Sequence, residues 1–216
     1  MERTIRVTGK GSLSLAPDTI ELIIHLEGKD KSYEKVTELS AKTAQNLRSS
    51  IEEAGFDGKE LKTVSFNIGI EYESYQDENR CFSSRFAGYN FRHEMKLCFP
   101  AENKLLGRAI GAVASCGANP RFEINYTVKD RENAKAALLT KAVEDSKAKA
   151  KLIAGAAGVE LGDIASIDYS WGEIDIISRP ARMEGVPLMA KAAVNIDLEP
   201  EDIDISDTVT VIWNIA

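Results

Sequence analysis

The segment 130–162 constrains this chain more than any other. From Ala134 to Ala154 it contains no Gly or Pro, and Ala, Leu, Lys and Glu dominate. These residues lose little on entering a helix. Asp130 stands where a carboxylate can accept from the free N–H groups of a first turn, and Gly158 stands where a left-handed residue can end the helix. At about 100° per residue, Ala134, Leu138, Ala142, Leu152, Ile153 and Ala156 share one side, while Glu144, Lys147 and Lys151 fall on the other. Asp145 and Lys149 lie four apart inside the apolar arc. A buried ionic switch, or a polar anchor to a partner, is one reading of them. The preferred reading is a structural i,i+4 ion pair at the edge of a broad Ala-rich face, because buried charges are rarely left unpaired.

The rest of the chain is dominated by alternation. In 4–15, Ile5, Val7, Gly9, Gly11, Leu13 and Leu15 fall on one side, as expected of a half-buried strand. Ala16-Pro17-Asp18 is a turn, and 19–27 returns with Ile20, Leu22, Ile24 and Leu26 on one face. The segment 32–55 reads as a helix with Ser32 as cap, Val36, Leu39, Leu47 and Ile51 as its stripe, and Gly55 as its stop. Strands follow at 61–75, where Val64, Phe66, Ile68, Ile70 and Tyr72 align, and at 86–99, where Tyr89, Phe91, His93, Met95, Leu97 and Phe99 align. The polar stretch 76–85 between them makes the pair a long hairpin. A helix from Pro100 to Gly117 leads to a strand at 120–128, the long helix, a strand at 164–171, and a last strand within 203–215. The segment 172–202 has no sustained period and is expected to be irregular. The order β-β-α-β-β-α-β-α-β-β excludes a regular βαβ alternation. It predicts an α+β fold: largely antiparallel sheet with helices packed on one face. The 216 residues suit a single domain, with two lobes, about 1–100 and 101–216, as the alternative division.

Charge bounds the partners. Thirty-four acidic against 27 basic residues give a net charge of -7, which argues against a general binder of nucleic acid or of anionic membranes. No window approaches the roughly 20 apolar residues that span a bilayer. Met1-Glu2-Arg3 runs straight into a strand pattern with no signal-type apolar region, so the expectation is cytoplasmic, or periplasmic or secreted if a leader has been removed. Three cysteines without a CxxC fit reduced thiols better than a disulfide framework.

Residues that could carry chemistry are scattered. His25 and His93 have no HExxH or paired cysteines beside them, and structural hydrogen bonding is the expectation for both. Cys98 lies on a strand and Cys116 at a helix C-terminus, where the negative end of the dipole raises a thiol's pKa. Cys81, in the hairpin tip between Arg80 and Arg85, is the best candidate for a reactive thiol, against the reading of an incidental surface cysteine. Gly9-Lys10-Gly11 lacks the third glycine and the helix of a dinucleotide fingerprint, so close approach of another element explains it better. The acidic residues Glu199, Glu201, Asp202, Asp204 and Asp207 read as a solvated edge. Met183, Val186, Leu188 and Met189 form an apolar cluster that either contacts a partner or pins its loop to the core. No cofactor and no metal are expected.

Taken in order, these motifs resemble the SIMPL-domain family, formerly a domain of unknown function, which includes YggE-like and periplasmic immunogenic proteins. The residues that carry the resemblance are Ile5-x-Val7-x-Gly9-x-Gly11 followed by Pro17-Asp18, then Gly88-Tyr89. The helix adds Ala142-x-x-Asp145-x-Lys147-x-Lys149-Ala150, ending in Gly158-x-x-Leu161-Gly162. The resemblance implies a bacterial protein with a fold of this kind, a tendency to ring-like oligomers in some members, and no catalytic residues. It also implies an export signal in most relatives. The expected function is therefore a non-enzymatic, self-assembling or partner-binding protein tied to stress or envelope physiology, forming homo-oligomers or binding a protein partner. A small-molecule or peptide-binding module is the alternative, and a thiol-dependent enzyme at Cys81 the third reading.

Overall fold

The computed structural model describes residues 3–76, 82–169, 174–178 and 198–216, and the backbone of 181–183. Along the chain come β1 (Thr4–Leu15), β2 (Thr19–Asp30), α1 (Tyr33–Glu53), a 3-10 turn (Gly58–Glu60), β3 (Lys62–Gln76), β4 (Phe82–Pro100) and α2 (Asn103–Ser115). Then follow β5 (Arg121–Thr127), α3 (Arg131–Ala157), β6 (Leu161–Asp168), β7 (Ala181–Met183) and β8 (Ile203–Ile215). The pairings β1–β8, β2–β4, β3–β4, β5–β7 and β6–β8 are antiparallel, so the fold class is the α+β that the alternation predicts.

The strands form two sheets, β1-β8-β6 and β3-β4-β2-β5-β7. Each belongs to one of two compact units, both assembled from separated segments. One comprises Met1–Pro17, Thr127–Ser178 and Pro200–Ala216; the other comprises Asp18–Tyr126 and Arg179–Glu199. The turn at Pro17 is thus not a hairpin. β1 pairs with β8 and β2 with β4, so the chain changes sheet where Pro17 cannot donate to a ladder.

In the first unit α3 lies on β1 and β8. Asp130 caps it through the N–H of Asn133 at 3.0 Å, and Gly158 ends it in the left-handed conformation at φ 69°. Its buried residues are Ala134, Leu138, Ala142, Ser146, Ala150 and Ala154, an unbroken i,i+4 row of mostly small side chains. Such a row advances about 40° around the helix at each step. The contact line therefore turns with the twisted sheet instead of holding one projected side. That corrects the fixed-arc expectation: Leu152 is 75% exposed and Ile153 is exposed as well. Small side chains on the helix are matched by glycines on the strand. A Cβ on Gly9 would run into the carbonyl of Ala142, and one on Gly11 into the carbonyl of Leu138. Val7, Val209, Val211 and Trp213 complete one core cluster here, and Val128, Ile176, Ile203 and Ile205 another.

The second unit holds the larger core. Ile20, Leu22, Ile24 and Leu26 of β2 and Phe91, Met95, Leu97 and Phe99 of β4 face Val36, Leu47 and Ile51 of α1 and Leu106, Ile110 and Val113 of α2. Each such side chain contributes on the order of 2 kcal/mol by leaving water. The α1 stripe is narrower than expected, since Leu39 is exposed.

Where it is described, the segment 172–202 is largely without regular structure, as expected, apart from β7 and one bridge between Ile177 and Thr127. Ile176 is buried, its carbonyl accepts from the Thr127 hydroxyl at 2.6 Å, and β7 pairs Met183 with Phe122 in register. Val186, Leu188, Met189 and Cys81 lie outside the described residues.

Candidate functional site

The largest departure from the expected burial is on the β3–β4 hairpin. Val64, Phe66, Ile68, Ile70 and Tyr72 align in the sequence as one apolar side of the strand. Only Ile68 packs against the core, and Val64 is exposed. Phe66 is 50% exposed, Ile70 54%, Tyr72 62%, Phe86 50% and Phe82 83%. Register shows that this is one surface. Phe66 is opposite His93, Ile68 opposite Phe91, Ile70 opposite Tyr89 and Tyr72 opposite Phe86, so the row continues the face that buries Phe91. The irregularity between Glu71 and Tyr72 skips Ala87 and keeps Phe86 on that face. The rings interlock edge to face: Phe66 with His93 at 5.2 Å, Phe86 with Tyr89 at 5.3 Å, and Tyr89 with Tyr33 at 5.5 Å.

Length and position explain the exposure. β3 has 15 residues and spans about 50 Å, whereas the 21 residues of α1 span about 30 Å. α1 lies over β2 and β4, and β3 is the outer strand beyond them. The opposite face of the hairpin is polar. Glu71 pairs with Lys29 at 3.6 Å, and Glu73 pairs with Arg85, which also lies over the Tyr75 ring. Contiguous apolar surface of this kind is uncommon on a monomeric soluble domain.

The first unit treats its outer strand differently. Asp145 Oδ2 accepts from the backbone N–H of Lys10 at 2.7 Å and from Lys149 Nζ at 2.7 Å. Lys149 Nζ also donates to the carbonyl of Thr8 at 3.4 Å. Asp145 and Lys149 thus occupy a donor and an acceptor on the side of β1 that β8 leaves free. The Lys149 ammonium and the Lys10 N–H hold the Asp145 carboxyl below the usual carboxylate range. The two residues sit at the flank of α3, where their charges stay partly solvated.

Both histidines make contacts within their own sheet. His93 Nε2 shares a hydrogen bond with Thr63 Oγ1 at 2.8 Å, and burial pushes its pKa down. His25 lies 3.9 Å from Glu94. Burial pushes the Cys116 thiol up, in the direction expected of its helix-end position but chiefly through desolvation. Among the described residues no cluster of His, Cys, Asp or Glu could hold a metal ion, and no helix is long and apolar enough to cross a membrane.

The model of the SIMPL family, described as a protein of unknown function (DUF541), matches residues 5–213. The chain belongs to this family. It is also similar to the 26 kDa periplasmic immunogenic protein of Brucella melitensis biotype 1, with 27% identity over 177 residues, which is 82% of this chain and 67% of the relative. The protein of the same name from Brucella abortus is 26% identical over the same shares of both chains. In this SIMPL chain the motif glycines Gly9 and Gly11 and the helix pair Asp145 and Lys149 meet at one helix–strand contact. Of the motifs that carry the resemblance, only Gly88-Tyr89 falls on the apolar hairpin. Its only signal in the sequence is an alternation longer than any helix of this chain can cover.

Proposed function

We propose that this SIMPL chain is a non-enzymatic, envelope-associated protein of the periplasm that works by assembling with itself or docking on a protein partner through the apolar face of β3 and β4. The exposed row Phe66, Ile70, Tyr72 and Phe86 carries this reading, because contiguous apolar surface on a folded domain marks a protein contact. The periplasmic placement is supported by the names of the two Brucella relatives. A non-enzymatic role is supported by the engagement of His93 with Thr63 and Phe66 and by the raised pKa of Cys116, which disfavours a thiolate.

A binding module for extended peptides is the second reading, favoured by the position of β3 as an outer strand to which a peptide could add. Sedimentation of the purified chain across a hundredfold concentration range, with affinity capture from an envelope fraction, tests the proposal. Assembly, or one partner lost on Phe66→Ser/Tyr72→Ser substitution, is the expected result. A strict monomer that captures nothing would overturn it.

A further inference from the structure

We propose that two copies of this chain join edge to edge through β3, antiparallel about a twofold axis at Ile68, so that each five-stranded sheet continues into the other. The proposal rests on the assembly reading above and names its partner. Three features of β3 select a second copy. The first is its position. β3 is the outer strand of its sheet, and among the described residues it packs chiefly against β4. The outer strand β1, by contrast, has one N–H and one C=O of its open side, those of Lys10 and Thr8, taken by Asp145 and Lys149. An open outer strand is a template for another strand.

The second feature is a self-complementary apolar row. Antiparallel pairing about Ile68 sets Phe66 opposite Ile70 of the second copy, and Ile68 opposite its own equivalent. The half-exposed ring then meets an aliphatic side chain twice, at the ~4.5–5.5 Å Cβ spacing of cross-strand neighbours. Tyr72 continues the same row, so its apolar surface adjoins the contact.

The third feature is charge. β3 carries Lys62 at its start and Glu71 and Glu73 near its end. Lys62 is opposite Lys96 and Ser65 is opposite Glu94, so the bulge between Thr63 and Ser65 leaves Lys62 and Ser65 on one polar face. In the antiparallel register Lys62 meets Glu73 of the second copy on that face, and Ser65 meets Glu71. A parallel register would set each glutamate against its own equivalent. Within its own chain Lys62 faces Lys96, whose ammonium is itself directed at Glu21 at 3.4 Å, and like charges directly opposite repel.

Mixed cross-linking tests the register. In a Cys81→Ser background, Ser65→Cys and Glu71→Cys are prepared separately, oxidised alone, and oxidised after mixing. A disulfide-linked dimer is expected only in the mixture, because each residue lies roughly 20 Å from its own equivalent. Self-cross-linking of either variant, or no cross-link while sedimentation still shows assembly, would sink the β3 register and leave the assembly reading standing. A monomer at every concentration that also captures no partner removes both. Lys62→Glu supplies an independent measure. It weakens association by about tenfold through two symmetry-related contacts of surface ion-pair size, while the melting temperature of the dilute monomer does not fall. An unchanged dissociation constant would overturn the proposal.

Discussion

Gly9 has no room for a side chain. Its missing side chain lets β1 touch the backbone of α3, and the atom in the way is the carbonyl of Ala142, which no rotamer change can move. Gly9→Ala should therefore cost at least about 2 kcal/mol by overpacking, read as a lowered midpoint in urea. At His93 the prediction concerns pH. Burial lowers the folded-state pKa below the ordinary imidazole value, so the folded chain favours neutral His93. The stability this contributes is complete above about pH 6.5. It is lost as pH falls through the lower folded value, because the unfolded chain then binds the proton more readily. Amide exchange in β3 near Thr63 should accelerate on acidification through that range. A His93→Gln variant should lose the pH dependence and keep the fold. Asp145 has the opposite chemistry and the same direction. Its carboxylate is favoured by Lys149 and Lys10, so its contribution is present at neutral pH and lost only in strong acid.

At the scale of elements, α3 shows how a helix reads against a twisted sheet. Leu138 and Leu152 project onto the same side at a fixed 100° per residue, yet Leu138 is fully buried and Leu152 is exposed. The i,i+4 contact row separates them by turning with β1 and β8. The two leucines should then respond differently to truncation. Leu138→Ala is expected to cost about 2–5 kcal/mol, and Leu152→Ala to stay within about 0.5 kcal/mol, both from denaturant curves. Equal losses would show that the contact row has been misplaced. The β3–β4 hairpin illustrates the converse case. Its alternation is as regular as that of β2, and the difference lies in what covers it.

At the scale of the whole molecule, the exposed row and the net charge pull in opposite directions. A charge of -7 keeps the chain in solution and opposes close approach of copies, while the apolar face favours contact. Salt screens the first and leaves the second. Assembly should consequently strengthen as ionic strength rises from low values, and the thermal midpoint should climb with protein concentration, since association stabilises only the folded state. Scanning calorimetry at three concentrations and two salt levels checks both. A midpoint independent of concentration would contradict self-association.

Much of this protein was legible without coordinates. Alternation placed every long strand, Asp130 and Gly158 bounded α3, and the spacing of Gly9 and Gly11 anticipated a close-packed neighbour, because these signals are local and depend on backbone geometry alone. The resemblance read from ordered motifs is the family that matches residues 5–213. What the sequence could not decide is what lies over each face. Whether β1 and β2 pair, which way the α3 contact row turns, and whether Phe66, Ile70 and Tyr72 are core or surface all depend on residues distant in the chain. The pairing of Asp145 and Lys149 shows both halves. Their i,i+4 spacing predicted an ion pair, and only the tertiary fold brought the Lys10 N–H and the Thr8 carbonyl to meet it. Periodicity says that a strand has an apolar side; only packing decides whether a helix, or another molecule, covers it.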